Sequence, residues 1–119
     1  MNRHTHLLFG GILFFVYSYA TGFLHDPVGK LFVSGLIAVV AGSLFPDILE
    51  PATSGRHRGI CHSWRALKLT ALMFLITAVL VFFIPGNPHL TLVFSASSFL
   101  LGYGAHLLAD SMTRAGLPG

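Results

Sequence analysis

The sequence is short of charge: Asp, Glu, Lys and Arg make up 9% of its 119 residues, whereas hydrophobic residues make up 54%. An ordinary soluble domain carries roughly 25% charged residues, which form the polar surface that keeps it in water. This chain lacks such a surface, and its mean hydropathy is +0.76. The composition therefore excludes an ordinary soluble protein and indicates a single membrane domain, residues 1–119.

Cysteine is almost absent as well. The only one, Cys61, excludes an intramolecular disulfide, so the cysteine content gives no sign of an oxidising compartment. The sequence also lacks an A-x-A cleavage pattern after its first apolar run, where it reads TGFLHDPVG. Because that run is longer than a usual signal-peptide core, we expect it to be retained as a membrane span.

Long apolar runs are what the sequence does contain. About 20 residues cross a bilayer core, and four runs approach or reach this length. The predicted spans are residues 6–24, 29–46, 65–84 and 90–110. A polar cap loop, residues 46–64, separates the second span from the third. The predicted fold class is therefore all-α: an integral membrane bundle of four antiparallel transmembrane helices with both termini on the same side.

Lysine and arginine are unevenly distributed between the two sides of the predicted bundle. Four spans put both termini and the cap loop on one side, here called side A, and the turns 25–30 and 85–89 on the other. Side A receives six of the seven cations: Arg3, Arg56, Arg58, Arg65, Lys68 and Arg114. Such an excess marks the cytoplasmic face, so we expect a multi-pass plasma (inner) membrane protein whose termini and side A are cytoplasmic. This orientation bias explains the pI near 9.5 without nucleic-acid binding. We therefore expect membrane lipids, and not nucleic acid, as partners.

Imidazoles and carboxylates also gather on side A, which the orientation rule does not explain. The six candidate metal ligands, delivered by four separate segments, are His6, Asp47, His57, His62, His106 and Asp110. His106 and Asp110 are four residues apart and share one helical face. His106 lies inside an apolar run, where a polar side chain is costly unless it finds a partner. A set of His and Asp ligands suits a divalent metal, most simply zinc, with manganese or iron as alternatives.

The decapeptide RHRGICHSWR, residues 56–65, concentrates three arginines and two histidines. Guanidinium groups bind phosphate through two parallel hydrogen bonds. We therefore expect Arg58 to hold an anionic substrate above the metal, with Arg56 as a second candidate. Asp110 and Glu50 are the candidate general bases, and the sequence does not decide between them.

Four stretches of the chain resemble the YdjM-type family of membrane-bound proteins, which are predicted to be metal-dependent hydrolases. In order along the chain these stretches are HLLFGG at 6–11, FPDILEP at 45–51, HRGICHS at 57–63 and GYGAHLLADSMTRAGLP at 102–118. The resemblance implies that the six candidate ligands are the polar set of that family. The family often reads PDIDHP where this chain has PDILEP, so Leu49 replaces a carboxylate and Glu50 a histidine. The H-x-x-x-D element is also similar, more loosely, to the zinc phospholipase C and P1-nuclease group, which cleaves phosphoesters.

These features favour a membrane-embedded metal-dependent hydrolase. A bound divalent ion would activate water and polarise the scissile oxygen of a phosphoester or lipid-like substrate. The alternative is a non-catalytic metal-binding membrane protein for metal handling, sensing or scaffolding, although a transport path favours polar groups near mid-membrane. Haem held by His6 and His106 is a third hypothesis, which leaves the carboxylates without a role. A homodimer is compatible with so small a bundle, but no sequence feature identifies its interface.

Overall fold

A computed structural model describes residues 3–22, 29–49, 60–84 and 86–112 of the chain. Four α-helices account for most of these residues: α1 (Arg3–Thr21), α2 (Lys30–Leu49), α3 (Trp64–Phe83) and α4 (Leu90–Ser111). A short 3₁₀ turn, Ile60–His62, precedes α3. The described ranges contain no β-strand. The predicted all-α fold class is therefore confirmed.

Three of the four helices have the length and composition of membrane spans. By length and composition, α2, α3 and α4 are each able to cross a membrane. The first turn of α1 carries polar residues, RHTH, so the apolar part of this 19-residue helix starts at Leu7. Large apolar side chains point outwards on the bundle, for example Leu8, Ile76 and Phe83, which are 66%, 54% and 78% exposed. Side chains of this kind are unfavourable in water but match the hydrocarbon core of a bilayer.

The boundaries of the cap loop differ from the sequence prediction, which starts it at residue 46. Helix α2 continues through Pro46 to Leu49. Proline lacks the N–H that would bond the carbonyl four residues earlier, but Pro46 lies in the last turns, where losing one bond leaves the helix intact. At the other boundary, α3 starts at Trp64 because the Ser63 hydroxyl accepts a hydrogen bond from the Ala66 N–H at 3.1 Å. Residues 50–59 of the predicted loop lie outside the described residues.

Helix α4 is the centre of the bundle and packs against each of the other three helices. Its contact with α2 is backbone to backbone. A Cβ atom on Gly42 would collide with the backbone of Phe99, and a Cβ on Gly102 would collide with the backbones of Val39 and Ser43. Glycine at these two positions therefore lets α2 and α4, which run parallel, approach closely. This approach brings the last turns of α4 against the last turns of α2.

Candidate metal centre

Five of the six predicted ligands lie together at one end of the bundle. They come from the first turn of α1, the end of α2, the 3₁₀ turn and the end of α4: His6, Asp47, His62, His106 and Asp110. Antiparallel packing places these four segments at the same end, as the sequence predicts. The sixth predicted ligand, His57, lies outside the described residues, together with the candidate catalytic residues Glu50 and Arg58 and the second arginine candidate, Arg56.

Each carboxylate faces two imidazoles. The two oxygens of Asp110 lie 3.3 Å from His6 Nε2 and 3.4 Å from His106 Nε2. Asp47 Oδ1 lies 3.3 Å from His62 Nε2 and 3.5 Å from His106 Nε2. Two ligands bound at about 2.1 Å to a tetrahedral zinc ion are roughly 3.4 Å apart. The spacing of these donors therefore matches that of ligands around one small divalent ion.

Two triplets of residues could hold a metal ion. One consists of His6, Asp47 and His106, and the other of His62, His106 and Asp110. Within each triplet, one donor atom from every residue lies within 4.8 Å of the others. Both triplets contain His106, so this histidine is the central donor of the cluster.

The hydrogen bond of His106 determines which of its ring nitrogens donates and which presents a lone pair. Its Nδ1 lies 2.7 Å from the carbonyl oxygen of Ser43, and a carbonyl only accepts, so Nδ1 must donate. In the neutral ring, Nε2 then presents a lone pair. That lone pair faces the carboxylates of Asp47 and Asp110. Negative oxygens around a lone pair repel one another unless a cation lies between them.

The surroundings of His106 Nε2 enclose this atom. It is buried and has no hydrogen-bond partner among the described residues. The ring also stacks on His6, with centroids 3.7 Å apart and planes within 11°. A metal ion bound at Nε2 would supply the partner that this buried atom lacks.

Burial differs sharply between the two carboxylates. His6, His62 and His106 are 0–2% exposed and Asp110 is 4% exposed, whereas the Asp47 side chain is 34% exposed. Buried polar groups at membrane depth are costly unless they are paired or coordinated. The cluster is therefore closed on most sides, and Asp47 marks its accessible side.

Two contacts that position the cluster were not predicted from the sequence. The first is the Ser43 carbonyl, which orients His106 as outer-shell partners orient metal-ligating histidines. The second is Tyr103, whose hydroxyl donates to the Cys61 carbonyl at 3.0 Å and ties the 3₁₀ turn to α4. The small residues Gly42 and Gly102 indicate a close helix crossing in the sequence, but they do not indicate which carbonyl meets which ring.

Comparison with known proteins agrees with the resemblance found in the sequence. The family described as YdjM inner membrane protein matches residues 1–118. No curated protein and no solved structure shows significant similarity to the chain. Because the family match covers nearly the whole length, and the fold and hydropathy agree with a membrane location, the chain belongs to the YdjM family of inner membrane proteins.

Proposed function

We propose that this protein is a metal-dependent hydrolase that acts at one face of the membrane. The observation that carries the proposal is the arrangement around His106. Its Nδ1 bonds the Ser43 carbonyl at 2.7 Å, and its Nε2 faces two carboxylates that have the spacing of metal ligands. A bound divalent ion at this point would lower the pKa of a coordinated water and polarise a substrate oxygen.

Zinc is the metal that suits the donor set best. Three imidazoles and two carboxylates are available within the described residues, and catalytic zinc takes three protein ligands and keeps a further position for water. Manganese or iron would use more of the oxygen donors. A zinc ion held by the triplet His62, His106 and Asp110 would leave Asp47 outside this ligand set.

The carboxylates then have different roles. Asp110 is buried and directs both oxygens at imidazoles, which favours a ligand over the general base considered from the sequence. Asp47 is the more exposed carboxylate, so it is better placed to contact water and substrate. Glu50 stays a candidate base and Arg58 a candidate anion-binding residue. An amphiphile with a phosphoester or acyl ester head is the substrate class that reaches a site at the end of a membrane bundle.

A non-catalytic metal site is the second candidate function. The observation in its favour is the burial of four of the five donors, which are at most 4% exposed. Structural metal sites are closed, whereas catalytic sites keep an open position. The exposure of Asp47 is what favours catalysis over this alternative.

The proposal is tested by replacing one buried and one exposed histidine of α1 and measuring metal content. We expect stoichiometric zinc in the wild type and in His4→Ala, since His4 is exposed on the same helix turn. His6→Ala should lose most of the metal because its ring lies 3.3 Å from Asp110 and stacks on His106. Elemental analysis of purified, folded protein makes the comparison. A wild type without metal contradicts the proposal.

Hydrolysis is tested on the same metal-loaded samples with chromogenic phosphodiesters, phosphomonoesters and acyl esters. We expect one of these classes to be cleaved by the wild type and by His4→Ala, and not by His6→Ala. Stoichiometric metal without cleavage of any class would favour the non-catalytic site.

A further inference from the structure

An apolar groove runs along the outside of the bundle between α1 and α2. It encloses about 720 Å³ and opens sideways, towards the bilayer. Its α1 wall extends from Leu7 to Val16, and Phe32 and Leu36 form the α2 wall. Nine residue steps along a helix correspond to about 13 Å, close to the roughly 15 Å thickness of one leaflet's hydrocarbon. The groove therefore has the length and lining for one hydrocarbon chain.

The groove leads towards the metal centre along its α1 wall. On α1, the first lining residue is Leu7, which directly follows His6. On α2, the lining ends at Leu36, eleven residues before Asp47. The two helices run antiparallel, because Gly10 near the start of α1 packs against Ser43 near the end of α2. The end of the groove at Leu7 therefore lies at the same end of the bundle as the cluster.

A second apolar cleft in the bundle does not lead to the cluster. It encloses about 150 Å³ and is lined by residues of α1, α3 and α4, among them Thr70, Gly104 and Leu108. Gly104 is two residues from His106, so the two positions lie about 200° apart around the helix axis. This cleft therefore lies on the face of α4 opposite the metal ligands and provides an internal control.

We propose that the groove between α1 and α2 binds an acyl chain of a membrane amphiphile whose polar head lies at the metal centre. The inference rests on the proposed function and names its substrate class: a lipid-like molecule that stays in the bilayer while its head is held at the ion. A water-soluble substrate would leave the groove without a role. A lipid bound only as part of the surrounding bilayer would occupy the groove without reaching the metal.

Gly11 offers a way to fill the groove without disturbing the bundle. It lines the groove, and a Cβ atom on it would meet nothing within 4 Å. Gly11→Phe should therefore place a ring where the chain would lie. Gly104→Leu is the matched control, because a Cβ there makes only an ordinary contact, 3.5 Å from Thr70 Cγ2, and fills the other cleft.

The experiment uses photoactivated labelling in phosphatidylcholine nanodiscs that contain a small fraction of phosphatidic acid with a diazirine in its acyl chain. Mass spectrometry locates the labelled residues. We expect labelling of the groove residues of α1 and α2 to exceed that of the lipid-facing surface of α3 several-fold. Gly11→Phe should reduce it to the level of α3, whereas Gly104→Leu should leave it unchanged. Removing the metal with a chelator should also reduce it, because the head is held at the ion.

The outcomes separate this inference from the proposed function. Equal labelling of the groove and of α3, or groove labelling that Gly11→Phe does not change, would overturn the inference and show surrounding lipid only. Groove labelling that persists without metal would also overturn it, since the chain would then be held independently of the ion. Elemental analysis of the same nanodiscs reports the metal centre separately, so loss of labelling with metal retained does not count against the proposed function.

Discussion

The bundle contains two kinds of buried polar cluster, and they differ in whether they are complete. In the half of the bundle away from His106, the Tyr17 hydroxyl pairs with Ser97 Oγ at 2.6 Å, and the partly buried Ser34 pairs with Ser95 at the same distance. Ser97 Oγ also donates to the Phe94 carbonyl at 2.8 Å, so Tyr17 donates to Ser97 and both hydroxyl protons of this pair have acceptors. At the end of the bundle, His106 Nε2 has no hydrogen-bond partner among the described residues although two carboxylates surround it.

This difference indicates what each cluster is for. Neutral hydroxyl pairs of this kind hold two helices together. The buried Nε2 of His106 instead faces the carboxylates of Asp47 and Asp110, and in a low-dielectric interior a polar atom without a hydrogen bond is costly. We therefore interpret the cluster at the end as a candidate metal site and the hydroxyl pairs as structural contacts.

The largest expected effect comes from removing the central donor. His106→Ala deletes the ring that belongs to both ligand triplets and that bonds the Ser43 carbonyl. We expect metal binding and hydrolysis to fall below detection. Ser95→Ala, which removes a hydroxyl from the half of the bundle away from His106, should leave both unchanged. Elemental analysis and turnover of the two folded variants measure this difference in metal content and activity. Metal retained by His106→Ala would contradict the distinction between the two clusters.

A second prediction concerns the helix crossing that aligns the metal centre. Gly102→Leu places side-chain atoms against the backbones of Val39 and Ser43. Overpacking of this kind costs about 1–3 kcal/mol or more and should separate His106 from the Ser43 carbonyl. We expect a lower melting temperature in detergent together with weakened metal binding.

Gly104→Leu is the control for the helix crossing, two residues along the same helix. Because a Cβ there meets only Thr70 at ordinary contact distance, stability and metal affinity should be close to those of the wild type. Equal losses in both variants would mean that a larger residue anywhere in this part of α4 harms the protein.

A third prediction separates the two carboxylates. Asp47→Asn and Asp110→Asn each remove one negative charge from the cluster. Because Asp110 contacts two buried imidazoles and Asp47 is the exposed carboxylate, Asp110→Asn should weaken metal affinity more, and Asp47→Asn should reduce turnover more than affinity. Metal titration and kinetics of both variants test this ranking. A reversed order would move the ligand role to Asp47.

The smallest expected effect is at the hydroxyl pair. Tyr17→Phe removes the hydrogen bond to Ser97, and such bonds in membrane bundles are worth about 0.6 kcal/mol on average. We expect a small loss of stability and no change in metal content. A double-mutant cycle with Ser97→Ala isolates the pair energy. Loss of metal in Tyr17→Phe would show that the two clusters are coupled.

Much of the fold follows from composition and from the alternation of spans. Apolar runs of about 20 residues predict membrane helices, and an even number of them returns both termini to one side. The same alternation brings the start of α1, the end of α2, the turn before α3 and the end of α4 to one end. The sequence could therefore predict that residues as far apart in the chain as His6 and Asp110 belong to one cluster.

The orientation of the side chains could not be predicted from the sequence. The stack of His6 on His106 and the bond from His106 to Ser43 depend on helix rotation and register. Helix rotation and register are set by the close contact of α2 and α4 at Gly42 and Gly102, which is visible only in the folded structure. The position of Asp47 could not be predicted either. The sequence favours a helix end at Pro46, but α2 continues to Leu49, so Asp47 lies within the helix.

X-ray absorption at the zinc edge of the purified, metal-loaded protein tests the central claim most directly. We predict one tightly bound ion with a shell of nitrogen and oxygen ligands at about 2.0–2.2 Å, including imidazole scattering, and no sulfur. The imidazole signal should disappear together with the ion in His106→Ala. A sulfur shell at about 2.3 Å, which only Cys61 or a methionine could supply, or a protein that binds no metal when folded, would contradict the account.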